Sequence, residues 1–317
     1  GNWSKGTAPA ATEHVIFNGA FSKASTSVDV HSQLTADSLG TDDLRSLTLE
    51  NGYAPLSTVD TTNGILTLKR ADTAGPGLFK TTTDITVNSG TLVLSGNAAA
   101  LNTAAGGSVA TPYGEGVILN AANITVASGA SIHADGKGFG NDAGPGRGSV
   151  TGGGGGGGYG GRGGDGTPAG PGGTTYGSLT SPTALGSGGG AGSITAGVGG
   201  GAIKLVVSGM LTVNGTLSAN GKIGTGYSGG SGGSVWIASG TLAGSGVVSA
   251  KSGNAANAVD SGSGGGGRID LSGVTNNFAG QFDVSGGTNG YQKGQAGTIR
   301  FPSAGTVRWQ VFRPLLE

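Results

Sequence analysis

The sequence predicts an all-β fold, a parallel β-helix (solenoid) in which stacked glycine-rich segments form one side. Three observations predict it. A five-residue pattern, Gly-x-apolar-x-apolar, opens four successive units, at Gly201, Gly233, Gly267 and Gly297. A second strand-like stretch follows it in three of the four units, and a glycine-rich passage then leads to the next pattern. Repeats of this length with two strands per unit are typical of solenoids.

Alternation within the pattern predicts a half-buried strand whose apolar residues face the core. The first apolar positions are spaced 32, 34 and 30 residues apart. Because stacked rungs bring equivalent positions together, we expect two ladders of inward-pointing side chains, with neighbours about 4.8 Å apart. The first ladder consists of Ile203, Val235, Ile269 and Ile299, and the second consists of Leu205, Ile237, Leu271 and Phe301.

The residues between the two apolar positions are expected on the outer face of the same strands. They are Lys204, Trp236, Asp270 and Arg300. On this prediction Asp270 and Arg300 form a solvent-exposed pair of opposite charge on neighbouring rungs. Such a pair contributes only about 0–1 kcal/mol, so an Asp270→Asn substitution would hardly change the melting temperature.

The second strand of each unit has its predicted core at residues 211–219, 242–250 and 278–284. The same pattern occurs earlier in the chain, at residues 85–92 and at residues 124–136. A preceding strand for the latter is predicted at residues 116–119. The repeat therefore extends over about residues 81–301.

Glycine-rich tracts separate the strand pairs, and the longest, residues 138–201, contains an unbroken run at residues 152–158. Composition alone is typical of a flexible linker. Shorter tracts, however, recur once per unit, at residues 229–233 and 264–267 among others. A linker has no reason to recur in register. We therefore expect the tracts, with residues 188–190, to be ordered neighbours, packed backbone to backbone as extended or polyproline-II-like segments.

The N-terminal region is richer in charge and predicts ordinary strands, at residues 15–17, 27–30, 46–49 and 64–69. A short helix over residues 41–50, capped by Thr41 or Asp42, is the alternative to the third of these strands. The chain is thus divided into three parts. They are an N-terminal β region with capping rungs (1–80), the glycine-rich repeats with the long insertion 138–201 (81–301), and a C-terminal capping or docking strand (302–317).

The C-terminal strand alternates strongly before Pro314, and Val307, Trp309 and Val311 share one face of it. Such a strand can cap the last rung or dock onto a neighbouring molecule. The predicted assembly residues are Trp3, Trp309, Val311 and Phe312.

Composition excludes several classes of protein. Glycine accounts for 72 of the 317 residues, charged residues for 11 %, and the formal net charge is zero. A neutral chain without a basic patch is a poor match for a nucleic-acid-binding protein. The chain has no cysteine, so disulfides and cysteine-ligated metals are excluded. No apolar run approaches the roughly 18 residues of a transmembrane helix.

Catalytic and metal-binding motifs are weak. Glycoside hydrolysis requires two carboxylates at a fixed separation, and the carboxylates of the repeat region, such as Asp135 and Asp283, stand alone in their segments. We expect no enzyme activity and no cofactor. Residues 160–165, Gly-Gly-Arg-Gly-Gly-Asp, match part of a calcium-binding repeat, which makes Asp165 the one metal candidate. The three histidines, at positions 14, 31 and 133, are far apart in sequence.

The first seventeen residues contain Asn2-Trp3-Ser4, a Pro-containing turn and Val15-Ile16-Phe17. In these short motifs the chain resembles the N-terminal region of bacterial glycine-rich surface solenoid proteins, both adhesin-like and fibre-like. The resemblance implies a right-handed β-helix, an extracellular or cell-surface location, and a structural role as fibre subunit or adhesin module. The alternating C-terminal strand favours end-to-end self-association, since the open ends of a solenoid can continue pairing between subunits. The alternatives are a carbohydrate-active β-helix enzyme, a lyase or hydrolase, and an adhesin tip that binds a surface glycan or receptor.

Overall fold

The computed structural model describes residues 84–301, except for residues 89, 109, 111, 191–194 and 272, together with six short strands outside that range. The elements within these residues are strands, together with one 3₁₀ turn at Thr103–Ala105. In chain order the strands are β1 (His14–Asn18), β2 (Val28–Asp29), β3 (Ser46–Glu50), β4 (Ile65–Lys69), β5 (Leu78–Lys80), β6 (Asp84–Val87), β7 (Thr91–Ser95), β8 (Val117–Ala121), β9 (Asn123–Val126), β10 (Ser131–His133), β11 (Ala202–Val213), β12 (Thr216–Ser218), β13 (Ser234–Gly244), β14 (Val247–Ser249), β15 (Arg268–Leu271), β16 (Thr275–Phe278), β17 (Gln281–Asp283), β18 (Thr298–Arg300) and β19 (Val307–Arg308).

The strands form two parallel sheets. Sheet A has twelve strands and follows the order β1-β3-β6-β9-β11-β13-β15-β18-β19, with β5 and β8 attached through β11 and β16 attached to β13. Sheet B has seven strands in the order β17-β14-β12-β10-β7-β4-β2. Among the strands described, the pairing is parallel everywhere except between β18 and β19. The prediction of an all-β chain built from parallel strands is confirmed.

Strands in the N-terminal region lie where the alternation predicted them. The structure has β1, β2, β3 and β4 at the four predicted places. The helix considered over residues 41–50 is wrong over its second half, because Ser46–Glu50 forms β3 and pairs with β1. Leucine and threonine alternate in this segment, and that period suits a strand better than a helix.

Each predicted second strand is in fact divided between the two sheets. Residues 211–213 complete β11 of sheet A, and residues 216–218 form β12 of sheet B. The bend lies at Asn214-Gly215, a pair of residues typical of turns. In the next unit the bend follows Gly244, whose φ of +108° lies in the region that glycine adopts readily.

The core lies between the sheets and is apolar throughout. Its largest cluster contains residues from Leu68 to Ile299, and most of their side chains are fully buried. None of the described residues between β10 and β11 lies in a strand, yet most of residues 153–164 and 184–190 are buried. The glycine-rich tract is therefore part of the packed molecule.

Candidate functional site

The ladder residues lie in register along sheet A. Ile203 pairs with Val235, Val235 with Ile269, and Ile269 with Ile299, and all four are at most 1 % exposed. In the second ladder Leu205 pairs with Ile237 and Ile237 with Leu271. Phe301 follows β18 and packs, half-buried, against the same core.

The outer positions of these strands are also in register, since Lys204 pairs with Trp236, Trp236 with Asp270, and Asp270 with Arg300. The ammonium group of Lys204 lies 3.7 Å from the centre of the Trp236 ring. Burial lowers the pKa of Lys204, and desolvation strengthens a cation–π contact of this kind.

The prediction that Asp270 is solvent-exposed is wrong. Its side chain is 0 % exposed, and its two carboxylate oxygens accept hydrogen bonds from Nε of Arg300 at 2.5 Å and from the NH2 group at 3.0 Å. The hydrogen bond to Asp270 raises the pKa of Arg300. Alternation indicates which side of a strand a residue faces, but it does not reveal whether that side is covered by other parts of the chain.

A stack of glycine-rich segments, here called the glycine stack, surrounds residues 153–158. Its neighbouring segments are residues 146–149, 163–164, 170–173, 187–190, 229–233 and 262–267. The carbonyl groups of Gly154 and Gly157 accept hydrogen bonds from Gly262 and Gly265, at 2.9 and 2.8 Å. The predicted contact between the glycine tracts is thus confirmed.

Hydrogen bonds on another side of the same segment repeat with the same period. Gly155 N–H donates to the carbonyl of Ser149, and Gly158 N–H donates to that of Gly146. Partners therefore recur every three residues, which is the period of the polyproline-II helix. That helix forms no internal hydrogen bonds, so its N–H and C=O groups are available to neighbouring segments.

The stack is too tightly packed for side chains. A Cβ atom added at Gly155, Gly156 or Gly157 would lie closer to a neighbouring backbone carbonyl than the 3.0 Å that real Cβ atoms keep. The carbonyls belong to Pro171, Ser263 and Ser187 respectively, on three different segments. Three faces of one chain segment are thus in backbone contact, and this explains why the sequence places glycine there repeatedly.

A buried polar network joins the glycine stack to sheet A. Tyr159 is fully buried, and its hydroxyl lies 2.7 Å from Oγ of Ser234 in β13. Because Ser234 donates its own proton to the carbonyl of Ala184, Tyr159 is the donor of the first bond. Burial raises the pKa of Tyr159 and raises that of Tyr176 still further, so both phenols remain neutral donors.

Arg268 completes this network. Its guanidinium lies 5.2 Å from the centre of the Tyr159 ring and donates to the carbonyl of Tyr176 at 2.9 Å and to Oγ1 of Thr298 at 3.1 Å. The side chain is 5 % exposed, and its Nε has no hydrogen-bond partner among the residues that the structure describes. This cation anchors the glycine-rich tract across β15 and β18. Little in the sequence pointed to this role, because Arg268 occupies the variable position after Gly267 in the Gly-x-apolar-x-apolar pattern.

The C-terminal end of the sheets is lined by aromatic residues. Phe278, Phe282 and Phe301 are half-buried, and the ring of Phe282 lies 5.1 Å from that of Phe278 and 5.5 Å from that of Phe301. On the preceding strands, β14 and β15, the corresponding core residues Val248 and Leu271 are fully buried. This surface, here called the aromatic end, was not singled out from the sequence, although it collects three of the eight phenylalanines.

Exposed apolar side chains lie at the tips of three loops that leave the glycine stack. Ile223, Val259 and Tyr291 are 57 %, 74 % and 53 % exposed. The loops are joined by backbone hydrogen bonds, from Ala256 to the carbonyl of Tyr227 and from Tyr291 to that of Ser261. We call these three residues the loop tips.

The remaining candidates have simpler surroundings. The carboxylate of Asp165 accepts hydrogen bonds from Arg162 at 2.6 Å and from the backbone N–H of Gly172 at 2.7 Å. Within the described residues, no group of three or more histidine or acidic side chains is placed to hold a metal ion. Burial lowers the pKa of His133. The assembly candidates Trp3, Trp309, Val311 and Phe312 lie outside the described residues.

Comparison with known proteins found no match to this chain among family models, curated proteins or solved structures. No helix in the described part is long and apolar enough to cross a membrane.

Proposed function

We propose that this chain is an extracellular structural protein, a subunit of a surface fibre or a module of a large adhesin. In this proposal its rungs close into a right-handed parallel β-helix, and the glycine stack forms the third side. Each rung would run from sheet A to sheet B and return through a glycine tract. The order of β11, β12, residues 221–233 and β13 along the chain supports this path.

The observation that carries the proposal is the hydrogen bonding of the glycine stack. Ordering glycine costs more conformational entropy than ordering any other residue, so a long glycine tract is ordered only where its backbone groups find partners. Here the partners are other glycine-rich segments, and the N–H groups of residues 155–158 bond to them at 2.7–2.9 Å. A chain that commits so many residues to backbone packing is suited to forming a stiff, protease-resistant rod.

Electron microscopy of the purified protein tests this proposal directly. Filaments indicate a fibre subunit, and uniform single rods indicate a module of an adhesin. Compact particles without an elongated axis would contradict both forms of the proposal. Release of oligosaccharides from bacterial glycans would instead support the carbohydrate-active alternative.

A second candidate function, receptor or glycan binding, is favoured by the loop tips. Exposed apolar residues on loops held together by backbone hydrogen bonds form a preorganised surface. Binding to glycan arrays or bacterial cells should weaken with Tyr291→Ala. Leu179→Ala is the matched control, since Leu179 is also exposed, at 46 %, and lies on another loop. Equal binding by both variants and the wild type would exclude the loop tips as a receptor site.

A further inference from the structure

Each of the two sheets has a direction, because the strand at one edge differs from the strand at the other edge. Among the described strands all pairs within sheet B are parallel, and the sheet ends with β2 on one side and β17 on the other. Sheet A likewise begins at β1, while β16 at the far end pairs only with β13 among the strands described. An edge strand of this kind is a template for pairing with another chain.

The outward edge of β17 can be assigned atom by atom. Gln281 donates its N–H to the carbonyl of Gly246, and Asp283 accepts a hydrogen bond from the N–H of Ala250. Both residues therefore direct their backbone groups toward β14. In a parallel sheet the intervening residue directs its groups to the opposite side. The N–H and C=O of Phe282 thus lie on the outward edge, beside the aromatic end.

One column of sheet B is apolar from end to end. Successive paired residues in the column are Val28, Leu66, Leu92, Ile132, Leu217, Val248 and Phe282. The column thus begins and ends with an apolar residue, one on each edge strand. A second copy displaced along the sheet would place its Val28 next to Phe282 and continue the same column.

The adjoining column supplies a test of this register. It runs through Asp29, Thr67, Val93, His133, Ser218, Ser249 and Asp283. If Val28 follows Phe282, Asp29 of the added copy comes directly opposite Asp283. Like charges directly opposite on paired strands are destabilising, so this register carries a repulsive pair that can be removed by mutation.

We propose that the outward edge of β17, with the aromatic end, binds the β2 edge of a second copy of this chain, head to tail. This inference rests on the proposed fibre function and specifies its interface. Head-to-tail addition keeps the strands of sheet B parallel and continues its apolar column. Because such a contact is heterologous and each added copy presents a new β17, it generates an open filament.

The central experiment uses Phe282→Pro, which removes the outward N–H and leaves the hydrogen bonds of Gln281 and Asp283 to β14 in place. Phe282→Ala is the control for the lost ring. Filament mass is measured by sedimentation and length by electron microscopy. We expect Phe282→Pro alone to remain monomeric. Added in a small proportion to wild-type protein, the variant should shorten the filaments. Its β2 edge still binds the β17 edge at the end of a filament, but its own β17 edge cannot bind a further copy.

Asp283→Asn gives a second, independent measurement that does not depend on whether the proline variant folds. Asparagine keeps the oxygen that accepts the hydrogen bond from Ser285 N–H and removes the charge opposite Asp29. We expect the concentration at which filaments first form to fall about two- to fivefold. An unchanged or higher threshold overturns the proposed register.

Other outcomes overturn the inference in distinguishable ways. Dimers of Phe282→Pro would indicate that two β2 edges meet, and thus a two-fold contact. Normal filaments of a folded Phe282→Pro would show that β17 is not the interface, while leaving the fibre function intact. Wild-type protein that remains monomeric would overturn both this interface and the fibre form of the proposed function, and only the adhesin-module form would remain.

Discussion

The glycine stack and the two sheets exclude water by opposite means. In the sheets, side chains such as Leu205 and Ile237 fill the space between backbones, and the backbones pair along their edges. In the stack, the backbones themselves fill the space, and a single methyl group at Gly155 or Gly156 would overlap a neighbouring carbonyl. The comparison teaches that one chain can be tightly packed with and without side chains, and that the two regions should respond to mutation in opposite directions.

The largest expected effect belongs to the sheet core. Ile269 is 1 % exposed and lies in the middle of its ladder, so Ile269→Asp would bury an unpaired charge and should abolish folding. Ile269→Val, the matched control, should cost only about 0.5–1.5 kcal/mol. Circular dichroism and denaturant unfolding measure both. A cooperatively folded Ile269→Asp protein would contradict the inward placement of this ladder.

In the glycine stack the damaging change is an enlargement. Gly155→Ala and Gly265→Ala should each lower the free energy of unfolding by about 1–3 kcal/mol, because the added methyl group meets a backbone carbonyl that cannot rotate away. Gly140→Ala is the control, since nothing lies within 4 Å of a Cβ at Gly140. It should be neutral or stabilising by up to about 1 kcal/mol. Equal effects at all three positions would remove the distinction between stack and loop.

The ion pair on sheet A should give a smaller effect. Asp270 is buried but Arg300 is 32 % exposed, so solvent screens part of the interaction. Asp270→Asn should cost about 1–2 kcal/mol, more than an exposed pair would cost. A double-mutant cycle with Arg300→Gln measures the coupling between the two residues. A melting temperature unchanged by Asp270→Asn would restore the exposed arrangement that alternation predicted.

The buried tyrosines should make the stability of the protein depend on pH in the alkaline range. Burial raises the pKa of Tyr159 and Tyr176 above the ordinary value of 10.0. Below that pH their contribution is fully present. Above it the unfolded chain loses protons that the folded chain retains, so stability falls as the pH rises toward the folded-state pKa values. In an ultraviolet titration we expect these two phenols to ionise only with unfolding, and Tyr176→Phe to reduce their number by one.

Much of the fold was accessible from the sequence because alternation and repeat spacing are local signals. The ladder from Ile203 to Ile299 and the strand at Ser46–Glu50 follow from them. Recurrence also predicted that the glycine tracts are neighbours. The network around Arg268 could not be predicted, since it depends on the distant Tyr159 and Tyr176 packing against β15. Alternation likewise carries no information on whether the outer face at Asp270 is covered. The aromatic end also becomes visible only when the last strands of the two sheets are known.

Native-state hydrogen exchange of the backbone amides tests the account most directly, since its central claim is that residues 153–158 form a hydrogen-bonded stack. The amides of Gly155, Gly156, Gly157 and Gly158 all donate to carbonyls of other segments. We expect them to be protected to a degree comparable with the amides of β13, and to exchange only through large-scale opening. Exchange of these amides within the dead time of the measurement, while β13 remains protected, would show that the tract is a flexible linker and would contradict the account.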